Sequence, residues 1–341
     1  MKNASKSFFL DKSATSIFLL GLILGFFWCS LCCADNATPV TEQRQLLHTF
    51  VEIKAYGANA GAAIAAAFDE MERVNRHLNN YDNASDIAAI NRNAGVAAVP
   101  ISTETAEALQ AAIMIGKRSG GAHDVTIGPL IKLWGFAQEQ PGLNGSVPDA
   151  AQISAAKALV DYRALQLLPQ TVSGKTLYSA RLVKKGMWID MGSISKGYCA
   201  DRAIAVLRKY GIQSALVAAG GTICTIGRKP DGSFWKVAVR HPRKEDEIMT
   251  FVPLENASIS TSGDYERFYM KNKKRLGHII DPHTGKPVER MQSVSVIGAT
   301  GLETDSIDTT IFVLGPEKGK KLTLQCWIVR WQYWKTLSPA M

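Results

Sequence analysis

Cysteine is scarce in this chain, with six in 341 residues. Cys29, Cys32 and Cys33 fall close to the start, which leaves Cys199, Cys224 and Cys326 for the rest. So odd and scattered a set makes no disulfide framework, and its spacing fits no zinc or other metal site. A compact Lys/Arg cluster with interleaved aromatics is missing too, so no nucleic acid is expected as a partner. There is no P-loop, no GxGxxG and no internal repeat, which excludes the common nucleotide-binding loops and the solenoids. No segment reads as an interdomain linker. The longest apolar run, "SIFLLGLILGFFW" from Ser16 to Trp28, is short for a full membrane span.

What is present reads as globular. Hydrophobic residues make up 46% and charged residues 20%, a balance that can bury a sizeable core. The formal charge of +9 is a modest basic excess that favours anionic ligands or a membrane surface. Lys2, Lys6 and Lys12 precede the apolar run, and Cys32-Cys33-Ala34 ends it with small residues. Residues 1–34 therefore read as a secretory signal, with an uncleaved anchor or a lipid-modified cysteine as alternatives. Cleavage after Ala34 leaves a single domain, 35–341, with a charge of about +7 by the same count. Its tail, 323–341, is atypical: it holds three of the seven tryptophans and no acidic residue. That tail reads as an amphipathic surface element, as a final buried strand, or as an altered end.

Between these ends, "HTFVEIKAYG" alternates as a strand. "AGAAIAAAFDEMERVNRHLNNY" has helical apolar spacing at Ile64, Phe68, Met71 and Val74. A second helix follows Ser102 or Thr103 and ends at Gly120-Gly121, and a third follows "GLNGSVPD". "MWIDMGSISKGYCADRAIAVLRKYG" reads as strand, turn and helix, closed by Gly211. "SALVAAGGTICTIG", "WKVAVRHP", "ASISTSGDYERFY", "LGHIIDP" and "SVSVIGAT" are strand-like, and "ETDSIDTTIFVLG" begins a last helix. Helices dominate the first half and strands the second. The fold expected is α+β, with a mixed, largely antiparallel sheet and packed helices.

Several stretches carry chemistry. Asp305, Asp308 and Thr309 stand at i, i+3 and i+4, on one face of a helix. They form an oxygen-only set suited to Mg2+ or Ca2+; the plainer alternative is that Thr304 or Asp305 caps the helix. In "IDMGSISKGYCAD", Lys196 and a helix N-terminus offer positive charge to an anion such as phosphate, or the stretch is an ordinary strand, turn and helix with a solvated lysine. In "HDVTIGPLIKLWGF", Trp134 and Phe136 suit either a flat ring or the core. Asp264 and Tyr265 suit turn geometry. In "HIIDPHTGKPV", His278 is either a general base or a strand histidine bonded to a carbonyl.

Taken in order, these segments, with "YDNASDIAAINRNAG" ahead of them, resemble the ApbE-type flavin transferases over roughly residues 45–320. The resemblance implies a Mg2+-dependent exported enzyme, periplasmic or attached to the inner membrane. Its implied substrate is FAD, from which FMN passes to a threonine or serine of an acceptor flavoprotein, such as a subunit of a membrane redox complex, with release of AMP. It implies magnesium binding at Asp305, Asp308, Thr309 and the Ser193 carbonyl. FAD contacts are implied at Leu47, Tyr81, Ala122, His123, Asp124, Asp190, Lys196 and Ile279, and a general base at His278. Two departures stand out: "LHT" at Leu47–Thr49 where Met-Gly-Thr is usual, and Thr222 after Gly220-Gly221 where an acidic or amide residue is usual. The tail beyond Leu322 does not look like the closing strands of the family. Two other functions use the same residues: an FAD pyrophosphatase, in which water replaces the acceptor hydroxyl, and a non-catalytic exported flavin carrier. The intact "DSIDT" and His278 count against the carrier.

Export makes a direct prediction. N-terminal sequencing of the mature protein, recovered outside the cytoplasm, is expected to begin at Asp35; a soluble cytoplasmic form beginning at Met1 would contradict it.

Overall fold

The structure is a computed structural model that describes residues 38–137, 147–244, 246–324 and 330–335. The leader 1–34 and Cys326 lie outside the described residues. Strands β1 (Val40–Leu46) and β2 (Thr49–Tyr56) lead into helix α1 (Ala60–Leu78). Next come α2 (Asp86–Arg92), β3 (Val99–Ile101), α3 (Thr103–Arg118), α4 (Gly128–Leu133) and α5 (Ala150–Lys157). A hairpin of β4 (Leu165–Val172) and β5 (Lys175–Leu182) precedes α6 (Ser195–Lys209). Strands β6 (Ser214–Ala219), β7 (Thr222–Ile226), β8 (Trp235–Arg240), β9 (Ile248–Leu254) and β10 (Ser258–Gly263) follow. Short strands β11 (Phe268–Lys271), β12 (Lys274–Gly277), β13 (Ile280–Asp281) and β14 (Lys286–Pro287) lead to β15 (Met291–Gly298). The chain then forms α7 (Gly301–Leu314), α8 (Pro316–Leu324) and β16 (Arg330–Lys335).

One seven-stranded sheet, in the order β1-β2-β6-β7-β10-β15-β16, organises the molecule. Every neighbouring pair in it is antiparallel. Period-two alternation decides which side chains meet which layer. Val51, Ile53 and Ala55 of β2 and Ala215, Val217 and Ala219 of β6 join α1 and α6 in the main core. Tyr56, Leu216, Ile223 and Ile297 point to the opposite face, where the β8–β9 hairpin covers them with Trp235, Val237 and Val252. The sheet is thus packed on both faces.

The helix ends follow their capping chemistry. The Ser102 hydroxyl accepts from the Thr105 N–H and starts α3, and left-handed Gly120 and Gly121 follow its end. Asp149 and Gln152 form a capping box on α5. Two expectations change, and one left open is decided. Met187–Asp190 is no strand: Trp188 makes a single parallel bridge to Ile127, and the Asn91 side-chain amide satisfies both backbone groups of Ile189. That amide replaces a neighbouring strand. The helix begun at "ETDSIDTT" is not the last, because α8 follows left-handed Gly315. The tail supplies edge strand β16, paired to β15.

Helices α6 and α7 approach closely, and only glycine permits it. A Cβ on Gly197 would stand 2.1 Å from the Gly301 carbonyl oxygen, and one on Gly301 would stand 2.5 Å from that of Gly197. The Asp201 carboxylate of α6 accepts from the N–H groups of Gly301 (2.6 Å) and Leu302 (2.9 Å), fixing the start of α7. Gly197→Ala is expected to destabilise the protein by ~1–3 kcal/mol, because neither backbone can yield. Denaturant unfolding checks this; an unchanged midpoint would show that the helices separate freely.

Candidate active site

A cleft of about 440 Å3 opens where the β1–β2 tip, the loop after α3, the start of α6, the β6–β7 turn and the β10–β13 segment converge. Leu47, Tyr81, Ala122, His123 and Asp124 line one part of it. Asp190, Ser193 and Lys196 come from the turn into α6, and His278 and Ile279 from the link between β12 and β13. Asp305 and Thr309 reach it from α7. Asp308 lies behind this wall, joined to it through Thr309 and Ser262.

The acidic pair is deeply placed. Thr300 caps α7, its hydroxyl accepting from the Glu303 N–H, so neither Thr304 nor Asp305 is the cap. Asp305 is 3% exposed and Asp308 1%. One Asp305 oxygen accepts from the Gly197 N–H at 2.9 Å; the other is 3.4 Å from Lys196 Nζ. Asp308 Oδ1 accepts from the hydroxyls of Ser262 (2.9 Å) and Thr309 (3.0 Å). Burial, and then the neighbouring Asp305 charge, push the Asp308 pKa upward. Among the described residues no group of three or more His, Cys, Asp and Glu gathers as metal ligands. A metal bound here would have two carboxylates, with hydroxyl, carbonyl or ligand oxygens to complete its shell. That all-oxygen set, under like-charge stress, fits magnesium.

Lys196 sits in the first turn of α6, where the helix dipole disfavours a cation. Burial works against its charge, but Asp305 and Asp308 outweigh burial and raise its pKa. Its Nζ donates to the Gly192 carbonyl at 2.6 Å. Asp190 shapes the same turn by accepting from the Gly192 N–H at 2.9 Å, and burial raises its pKa. His123 Nε2 lies 3.0 Å from Ser193 Oγ. The buried Nδ1 of His123 has no hydrogen-bond partner, and burial lowers its pKa to about 4.

Both the His278 N–H (3.0 Å) and its Nδ1 (3.2 Å) meet the Arg267 carbonyl oxygen. That contact selects the Nδ1–H tautomer, with Nε2 as the basic nitrogen. Burial, aided by the Arg267 charge, lowers its pKa to about 4, so the ring is neutral at physiological pH. Nδ1 thus makes the carbonyl bond of the plain reading, although His278 stands in the link between β12 and β13 and not in a strand, and the residue lines the cleft.

At the rim, Leu46 pairs with Thr49, so Leu47 and His48 form a two-residue hairpin turn with φ of 57° and 56°. This geometry is usually given to Asn-Gly. A side chain in the left-handed region costs roughly 1–2 kcal/mol, and the strain sits at the cleft mouth. His48 packs edge-on to Tyr81, with centroids 5.4 Å apart. The other departure, Thr222, is buried in the sheet with its hydroxyl 2.9 Å from that of Ser260.

Some side chains serve the frame. The Asp124 carboxylate accepts from Thr126 and from the Tyr162 N–H, so it pins its loop. Trp134 is core, donating to the Gly285 carbonyl at 2.7 Å, while buried Phe136 borders the cleft. Asp264 takes a two-bond clasp from Arg243 in its turn. Ser262 and Arg267 line the cleft and were not singled out by the sequence. The signal for Ser262 was present: hydroxyls at every second position of a buried strand, "SISTS", need partners on the facing helix.

Comparison with known proteins places this geometry. The profile of the ApbE family matches residues 47–326. An FAD:protein FMN transferase of Klebsiella pneumoniae is 33% identical over 291 residues, covering 84% of this chain and 81% of the relative. One from Escherichia coli K12 is 32% identical, covering 92% and 90%. Among solved structures, the flavinyl transferase ApbE of Pseudomonas stutzeri, in its apo form, superposes with a TM-score of 0.76 at 28% identity, covering 88% of this chain and 92% of that one. The flavin transferase ApbE of Vibrio cholerae gives 0.74 at 27%, covering 87% and 93%.

The depressed His278 pKa predicts a pH signature in stability. Between pH 6.5 and about 4 the unfolded chain protonates this histidine and the folded one does not. Wild type is therefore expected to lose stability relative to His278→Gln as pH falls through that window. Parallel stability curves for the two proteins would show that His278 is not held neutral.

Proposed function

This chain belongs to the ApbE family, and from that premise we propose that it is an FAD:protein FMN transferase that joins FMN to a threonine or serine hydroxyl of an acceptor flavoprotein and releases AMP. One observation carries the reading: the Asp305 carboxylate, with Asp308 buried behind it, meets a lysine and a neutral histidine at a single cleft. Phosphoryl transfer asks for those parts, namely charge on the phosphate oxygens and a base for a poor nucleophile. Asp305, Asp308, Thr309 and the Ser193 carbonyl would hold magnesium, which neutralises phosphate charge when bound. Lys196 and the N-terminus of α6 face the anhydride. His278 Nε2 takes the proton of the acceptor hydroxyl. The hydroxyl oxygen bonds to the FMN phosphorus, the anhydride P–O bond breaks, and AMP leaves with the bridging oxygen. Leu47, Tyr81, Ala122, His123, Asp124, Asp190 and Ile279 give the walls against which FAD lies, with Asp124 acting there through its loop.

The enzyme works outside the cytoplasm, in the periplasm or at the inner membrane. The basic start and the apolar run Ser16–Trp28 support this. Among the described residues no helix is long and apolar enough to cross a membrane. The acceptor is a flavoprotein, for which a subunit of a membrane redox complex is a suitable class.

Three variants separate the roles. Asp305→Ala is expected to abolish transfer with the fold retained. His278→Ala is expected to slow transfer by ~10²–10⁴-fold while FAD binding largely survives. Lys196→Ala is expected to weaken FAD binding as well as turnover. Flavin fluorescence of the acceptor after denaturing electrophoresis, with FAD titration of each enzyme, reads both quantities. Wild-type labelling by His278→Ala would reduce that histidine to a structural role, and full activity of Asp305→Ala would remove the metal assignment.

A further inference from the structure

We infer that Asp201 is a positioning residue for the transfer: it pins the first turn of α7 to α6 and so sets Asp305 and Asp308 for a divalent cation. This deepens the transferase reading and rests on it. The oxygen set proposed there is divided between two elements, with Ser193 just ahead of α6 and Asp305, Asp308 and Thr309 on α7. Its shape therefore depends on how the two helices meet. The Gly197 N–H of α6 donates to the Asp305 carboxylate of α7. Four residues further along α6, the Asp201 carboxylate accepts from Gly301 (2.6 Å) and Leu302 (2.9 Å), the first two N–H groups of α7. Gly301 stands four residues before Asp305, so the pairing is reciprocal: 197 with 305, and 201 with 301. Two pins about one turn apart fix the register of the helices as well as their separation.

Capping alone does not account for Asp201. A local cap is already present, since the Thr300 hydroxyl takes the Glu303 N–H and Glu303 brings acidic charge to the first turn. Asp201 comes from another helix, 100 residues away in the chain. Its charge is also costly. Burial raises its pKa to about 6 in spite of the two N–H bonds, and the Asp305 charge adds to the rise. The ionised carboxylate is thus worse placed in the folded protein than in the unfolded chain. A third carboxylate near Asp305 does not serve stability; what it secures is position. The same turn of α7 is tied to β10 by the Ser258 and Thr304 hydroxyls, 2.9 Å apart. Lys196, next to Gly197, keeps its 3.4 Å approach to Asp305 only while the helices stay in register. Without the Asp201 pin, Asp305 would drift from Gly197 and Lys196, and the two carboxylates would lose the placing that one cation can bridge.

The test uses the full chain as wild type, Asp201→Asn and Thr300→Ala. Mn2+ stands in for magnesium, and its binding is read without turnover from the electron paramagnetic resonance signal of free Mn2+. Asp201→Asn keeps the size of the side chain and offers one acceptor oxygen in place of two. Its Mn2+ dissociation constant is expected to rise ~10–100-fold, the usual loss when a group that orients metal ligands is removed. With FAD and an acceptor, the magnesium concentration for half-maximal labelling should rise by a similar factor, while kcat at saturating magnesium returns close to wild type. Thr300→Ala removes the local cap and leaves the pin between the helices, so it should lower the unfolding midpoint and keep Mn2+ binding near wild type. Wild-type Mn2+ affinity in Asp201→Asn, or equal weakening in Thr300→Ala, would overturn the inference and leave Asp201 as a cap. Should Asp201→Asn not fold, Asp201→Glu decides, because it keeps the charge and shifts the carboxylate by one methylene: weakened Mn2+ binding upholds positioning, and wild-type binding rejects it. A wild type that binds Mn2+ and leaves the acceptor unlabelled would overturn the transferase reading instead, and the Mn2+ comparison would still judge Asp201. A wild type that binds no Mn2+ would overturn both.

Discussion

Two carboxylates one helical turn apart, both buried, constrain the rest of this structure. Left alone, Asp305 and Asp308 would repel each other, and burial together with the Asp305 charge raises the pKa of Asp308. The fold answers with partners from two neighbouring elements. Helix α6 brings the Gly197 N–H and the Lys196 ammonium to Asp305. Strand β10 brings the Ser262 hydroxyl to Asp308. The meeting of Gly197 with Gly301 lets α6 come near enough to do so, and Asp201 clamps the junction. What remains unanswered is net negative charge, which a hard divalent cation suits.

On the other side of the cleft the logic inverts. His278 is kept neutral by burial and by positive neighbours, so its basic nitrogen is ready without deprotonation. A histidine with so low a pKa is a weaker base than a free imidazole, and its advantage lies in placement: the Arg267 carbonyl fixes the ring while the cleft excludes part of the water. Cation and carboxylate stand side by side in the same wall, Lys196 against Asp305, with Asp190 lining the same cleft. Under the proposed function that mixed charge would receive a pyrophosphate together with its divalent cation.

Much of this was legible in the sequence because its periods are strong. Apolar spacing at Ile64, Phe68, Met71 and Val74 puts all four residues in the core. The i, i+3, i+4 oxygen set survives as one helix face, and the ordered motifs anticipated a family that the comparisons bear out. Elements that lean on their surroundings were harder to see. Edge strand β1, "VTEQRQL", is polar because one side of it faces solvent, and it read only as a polar stretch. The β4–β5 hairpin turns on Ser173-Gly174, a short signal between exposed strands. Met187–Asp190 has strand composition but no strand neighbour, since Asn91 takes that place from far along the chain. Arg267 carried no local signal at all, because its meaning comes from the histidine that folds onto its carbonyl.

In the proposed transfer an acceptor hydroxyl, and not water, receives the FMN group. The balance of products when the purified enzyme meets FAD, magnesium and an acceptor flavoprotein distinguishes the two. Transfer gives one AMP for every flavin that stays on the acceptor through denaturing electrophoresis, with little free FMN. AMP and free FMN accumulating together beside an unlabelled acceptor would contradict it and make the enzyme a pyrophosphatase.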